Sequence, residues 1–92
     1  MAEVEPVAAI SVRVRYFAGA RSAAGVAEER VDVGERASVA DVLTLLRERR
    51  GAQLSTVLTA CSFLLNGVAV RDPATTVSAP ADLDVLPPFA GG

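Results

Sequence analysis

The chain is 92 residues long, enough for one small domain. A net charge of −2 gives no electrostatic case for nucleic acid or an anionic membrane as partner. With no His and a single Cys, neither a metal site such as zinc's nor a Cys–His nucleophile can be assembled within the chain. An independent enzyme is therefore not expected.

Apolar residues make up 51% of the chain and aromatics only 4%, which predicts a core of Val, Leu, Ile and Ala. The basic residues are all Arg, so there is no side-chain amine for an isopeptide or Schiff-base link. One Cys rules out an internal disulfide and suits a reducing, cytoplasmic setting. No apolar run approaches the roughly 18 residues of a membrane span, and the N-terminus lacks the basic start of a signal peptide.

Residues 1–8 carry Glu3, Glu5 and Pro6 without periodicity and read as a loose, disordered tail. Ile10, Val12, Val14 and Tyr16 then alternate with Ser11, Arg13 and Arg15, the pattern of a strand with one buried face. Phe17 breaks that pattern by falling on the Arg13 and Arg15 side. Ala18 to Gly25 reads as a small-residue connection into a second strand at Val31 and Val33, closed by Gly34, with the two strands forming a hairpin. Glu28-Glu29 and Arg47 to Arg50 read as solvated faces. Ser38-Val39-Ala40-Asp41 has the spacing of a capping box, and Val39, Val42, Leu43 and Leu46 follow at one helical face. Gly51 is placed to end that helix, and Gln53 to Ala60 to hold a further helical turn.

Phe63 and Leu65 start a third strand, and Asn66-Gly67 marks a tight hairpin into Val68 to Val70. Asp72-Pro73 is a turn. Ala81 to Leu86 forms the last strand, with Leu83 and Val85 inward, and Pro87-Pro88 ends it. Strands flanking one long helix predict an α+β domain, a mixed sheet of about five strands around one main helix. The domain spans residues 9–86, and 87–92 form a flexible functional tail.

That tail ends in Gly91-Gly92, a pair expected by chance in roughly one chain in 200. Two residues without Cβ atoms fit a channel too narrow for others and put an ionised carboxylate at the tip. Extended at about 3.3 Å per residue, residues 87–92 reach roughly 20 Å. Pro87 and Pro88 stiffen the base and lower the entropy lost on insertion.

The element order, the run Val14-Arg15-Tyr16-Phe17-Ala18 with Arg21 and Gly25, Leu65-Asn66-Gly67, and above all Asp84 to Gly92 resemble a known family. It is that of the ubiquitin-like β-grasp sulfur carriers, and within it the small subunits of molybdopterin synthase. Ala81 departs from the family, which usually has a glycine before the last strand. The resemblance implies that Gly92 is adenylated and then converted to a thiocarboxylate, with Gly91 the thin residue beside it. No cofactor is bound permanently; ATP–Mg²⁺ is used by a partner, an E1-like adenylating enzyme. The second implied partner is a large catalytic subunit, in a heterotetramer, which directs the sulfur at cyclic pyranopterin monophosphate. Sulfur carriers for thiamine or cysteine synthesis, and ubiquitin-like protein modifiers, remain alternatives.

Docking is expected from apolar groups stranded on the outer sheet face, Phe17, Leu64 and Leu86. Pro87, Pro88 and Phe89 of the tail add to it, and Arg21 is expected to orient tail or partner. Asp82 and Asp84 offer charge to a basic partner surface. Cys61 reads as a small, inert, buried residue.

Overall fold

A computed structural model describes residues 9–88; residues 1–8 and 89–92 lie outside the described residues. The first strand, β1 (Ala9–Tyr16), buries Ile10, Val12, Val14 and Tyr16, as its alternation predicts. Phe17 continues the extended backbone for one residue and opens α1 (Ala18–Ala24). The small-residue connection expected here is therefore a seven-residue helix. Alanine is the best helix former, burial of Ala20 and Ala24 holds one face, and Gly25 at φ 82° closes the end. β2 (Glu28–Gly34) then pairs antiparallel with β1, as expected, with α1 forming the connection between them.

The capping box at Ser38 forms as read. Asp41 N–H donates to Ser38 Oγ at 3.2 Å and Ser38 N–H to the Asp41 carboxylate at 2.9 Å. It starts α2 (Val39–Arg50), which buries Val39, Val42, Leu43 and Leu46. Gly51, at φ 87°, ends α2 by donating its N–H to Arg47 O at 2.9 Å and starts α3 (Ala52–Leu58), which buries Leu54 and Leu58. Then β3 (Ser62–Leu65) and β4 (Val68–Ala69) are joined by Asn66 at φ 50° and Gly67 at φ 82°, the two positive values of a type I′ turn. Beyond Ala69, Val70 N–H still donates to Phe63 O at 2.9 Å, so the pairing reaches the expected Val70. Asp72 Oδ1 accepts from Ala74 N–H in the following turn. Last comes β5 (Ala81–Leu86), with Ala81, Leu83 and Val85 buried.

Strand order is β2-β1-β5-β3-β4, with β1 and β5 parallel and the other pairs antiparallel. The helices lie on one face of this sheet, and the inward residues of strands and helices form one core. A five-stranded mixed sheet with its longest helix across one face is the β-grasp arrangement. No helix covers the other face among the described residues.

Candidate partner-docking face and tail base

The strand that leads into the tail, β5, is the central one of the five, bonded to β1 on one side and β3 on the other. Its pairing runs to Leu86 against Ser62. Two prolines, which cannot donate ladder hydrogen bonds, end it there: Pro87 is half-buried and Pro88 exposed. Phe89, Gly91 and Gly92, the expected anchor and reacting end, lie outside the described residues.

Phe17 stands beside this exit. Tyr16 pairs with Val85, and Phe17 N–H donates to Val85 O at 3.2 Å, so Phe17 falls next to Leu86. Tyr16 points inward, so Phe17, still extended, points outward and is 41% exposed. Leu64 pairs with Asp84, one diagonal step from Leu86 on the same outer face, and both leucines are half-buried. Three apolar side chains are thus gathered at one corner. Ala18, at φ 49°, turns the chain there in a region that costs an L-residue roughly 1 kcal/mol or more. Val68 is 69% exposed but pairs with Leu65, on the far edge of the sheet.

Arg21 projects from α1 at the rim of an open cleft of about 270 Å³, shared with Arg15, Phe17 and Glu28. Among the described residues Arg21 enters no ion pair. Asp82 and Asp84 do not offer free charge as expected. In the parallel register Arg13 lies beside Asp82 and Arg15 beside Asp84, and each pair is bidentate. The contacts are 3.1 and 3.1 Å in the first pair, 2.6 and 3.0 Å in the second. The Arg13 hydrogen bonds hold the Asp82 carboxyl below its usual range. These pairs make the outer face polar next to the apolar corner, and they neutralise it locally.

Glu29 corrects the expectation of a solvated face. Its position pairs with Val14, so it shares the inward side with Val31 and Val33, and its side chain is only 8% exposed. Tyr16 Oη donates to Oε2 at 2.5 Å, Arg50 makes a two-nitrogen contact at 2.9 and 3.0 Å, and Arg49 donates at 2.9 Å. Burial alone would raise this carboxyl, but the hydrogen bonds from Arg50, Tyr16 and Arg49 outweigh it and bring it to about 2. Burial, then the bond to Glu29, pushes the Tyr16 phenol well up. Arg49 and Arg50 thus tie the end of α2 to β2. The available signal was the alternation itself, since Glu29, Val31 and Val33 have the same parity.

Cys61 is half-buried against the core and donates Sγ–H to Val57 O at 3.2 Å; burial pushes its thiol up, away from reactivity. Among the described residues no group of three or more His, Cys, Asp or Glu could hold a metal ion. No described helix is long and apolar enough to cross a membrane.

Residues 14–92 match the ThiS family, a span that includes the docking corner and reaches Gly92. Over 84 residues the chain is 32% identical to the molybdopterin synthase sulfur carrier subunit of Chlamydomonas reinhardtii, covering 90% of this chain and all of that one. The crystal structure of SAMP1 from Haloferax volcanii superposes with a TM-score of 0.79 at 30% identity, over 89% of this chain and 99% of that one. Subunits 1 and 2 of the molybdopterin-converting factor of Helicobacter pylori 26695 have been solved as a complex. It includes a chain of the same fold, with a TM-score of 0.64 at 23% identity over 90% of this chain and 100% of that one. With its mixed sheet, single long helix and a match running through the last residue of the sequence, the chain belongs to the ThiS family.

Proposed function

We propose that this chain is the sulfur-carrier subunit of a molybdopterin synthase. The observation that carries the reading is the exit of β5. A strand bonded on both sides runs straight into Pro87-Pro88 beside an uncovered corner made by Phe17 and Leu86. That geometry supports a tail presented to a partner while the partner grips the sheet. The relative in Chlamydomonas reinhardtii bears the name of this subunit, and the family match extends over Gly91 and Gly92.

The chemistry follows from the weakness of a carboxylate as an electrophile. An E1-like partner uses ATP–Mg²⁺ to join the Gly92 carboxylate to AMP, releasing pyrophosphate. The terminal sulfur of a persulfide displaces AMP, and a thiol cleaves the resulting S–S bond, leaving a disulfide and the Gly92 thiocarboxylate. A large catalytic subunit, such as the second chain of the Helicobacter pylori complex, receives the tail. It directs the thiocarboxylate sulfur at cyclic pyranopterin monophosphate, and two loaded carriers complete one dithiolene. The chain binds no cofactor of its own in this cycle and works in the cytoplasm, as one subunit of a heterotetramer. Phe17, Leu64, Leu86, Pro87, Pro88 and Phe89 form the docking surface, and Arg21 orients the tail or the partner.

Intact mass after incubation with the adenylating enzyme, ATP–Mg²⁺ and a sulfur donor tests loading. The expected result is replacement of one oxygen by sulfur, absent in a variant lacking Gly91 and Gly92 that still folds. Conversion of the pyranopterin by the loaded protein and a large subunit tests the pathway. Failure of conversion with successful loading would reassign the carrier to thiamine or cysteine synthesis. The likeness to SAMP1, a small archaeal modifier protein, favours one further reading, a protein modifier. That reading predicts higher-mass conjugates on lysines of other proteins. Chains of this protein on itself through lysine are excluded, because it has none.

A further inference from the structure

A surface groove of about 770 Å³ lies at the end of the sheet away from the tail. Gly34 pairs with Ala9 at the start of β1, whereas the parallel strand β5 leaves beside Tyr16 at its end. The groove runs between the end of β2 and the first turns of α2. Val33, Ala37 and Leu45 supply its apolar floor, and Asp32, Glu35 and Asp41 outnumber Arg36 on its rim. It is open, and β2 is an outer strand of the sheet.

The hydrogen bonding of that edge is legible. Tyr16 N–H donates to Ala27 O at 2.8 Å, so in this antiparallel register the odd residues of β2 turn their backbone groups to β1 and the even ones turn outward. Arg49 donates to the Arg30 carbonyl at 3.2 Å and caps the edge there. Gly34 O takes the Ala37 N–H at 3.0 Å. Beside the groove this leaves, among the described residues, the N–H and C=O of Asp32 and the N–H of Gly34.

We propose that this groove docks an extended segment of a partner protein, added to β2 at Asp32 and Gly34, with an aliphatic side chain over Leu45 and basic side chains flanking it. The two free donors and one free acceptor set the extended backbone, and the apolar floor selects the aliphatic residue. The excess of carboxylates at the rim selects positive charge. The site is separate from the Phe17 corner and does not depend on the carrier reading. A segment held here leaves the tail base clear for a second protein.

Amide spectra of the ¹⁵N-labelled full chain, titrated with the acetylated pentapeptide Arg-Val-Ile-Val-Arg, test this. Expected are saturable shifts centred on Asp32, Gly34 and Leu45. The peptides Glu-Val-Ile-Val-Glu and Arg-Ser-Gly-Ser-Arg should bind at least about fivefold more weakly, one lacking the charge match and the other the aliphatic contact. The variant Asp32→Lys/Glu35→Lys, at two exposed positions, should weaken the first peptide roughly five- to tenfold while the rest of its spectrum stays unchanged. Equal binding of all three peptides, or shifts centred on Phe17, Leu64 and Leu86, would overturn the proposal. So would concentration-dependent shifts of the groove amides without peptide, which identify a second copy as occupant. A change in those amides on removing residues 1–8 identifies the chain's own segment and overturns it equally.

Discussion

On the inner face of the sheet, Val12, Val14, Leu83 and Val85 are sealed under Leu46, Leu54 and Leu58, each at most 2% exposed. On the outer face the same strands set Arg13 beside Asp82 and Arg15 beside Asp84, and they end at a corner where Phe17 is 41% exposed. Alternating residues of one strand thus serve two ends: even positions of β1 hold the molecule together and odd ones present it. The inner face depends on close packing, which a missing methylene disturbs. The outer face instead carries paired charges beside an apolar corner left exposed. Substitutions on the two faces should therefore separate stability from docking.

The largest expected effect is on the inner face. Leu46→Ala removes a fully buried side chain from beneath the sheet, at a cost of about 3–5 kcal/mol. For a domain of this size the melting temperature should fall by roughly 15 °C or more. A fall of only a few degrees would mean that α2 contributes less to the core than its burial implies. On the outer face, Phe17→Ala should change stability by less than about 0.5 kcal/mol. Affinity for a molybdopterin synthase large subunit should instead fall roughly thirtyfold, about 2 kcal/mol, measured by calorimetry. Equal losses from both substitutions would break the distinction between the faces.

Glu29 lies on the inner face yet carries charge, and pH isolates its share. Its carboxyl is held at about 2 in the folded protein against an ordinary value of 4.5, so the unfolded chain binds the proton more tightly. Its stabilisation is complete above pH 4.5 and is lost as pH falls toward 2. Solvent screening at half-exposed Arg49 discounts the full shift, leaving roughly 1–2 kcal/mol. Thermal melts across that window should show this loss, and Glu29→Gln should flatten the profile while lowering stability at neutral pH.

How much of this was legible from residues alone differs between the two faces. Ile10, Val12, Val14 and Tyr16 declare a buried face by alternation, and Ser38 with Asp41 declares a helix start, because both signals are complete within a few residues. The Arg13–Asp82 and Arg15–Asp84 pairs span 69 positions and exist only once β1 and β5 lie parallel, so no local pattern announces them. Glu29 misled for the opposite reason. A charge is assumed solvated by default, and the arginines that make its burial tolerable lie 20 and 21 residues away. The helix α1 escaped because six small residues and one Arg form no apolar stripe; its evidence is the burial of Ala20 and Ala24 by neighbours. The site was legible as far as Phe17, Leu64 and Leu86 being out of step with the buried face. Their gathering at one corner required the register of β1, β5 and β3.

The smallest predicted effect bears on what joins the faces. Ala18 sits at φ 49°, immediately after Phe17, where the chain leaves the sheet and turns into α1. A Cβ in that region costs roughly 1–2 kcal/mol, and glycine relieves it while adding about 0.4–1 kcal/mol of unfolded-state freedom. Ala18→Gly should therefore stabilise the protein slightly, by about 0.5–1 kcal/mol, raising the melting temperature a few degrees. Strain of this kind persists where the surrounding structure over-determines it, and here it fixes the angle at which Phe17 leaves the strand. The same variant should weaken docking to the large subunit by roughly twofold, because the freed corner must be ordered again on binding. A rise in melting temperature with affinity unchanged would show that the bond from Phe17 N–H to Val85 O holds the corner by itself.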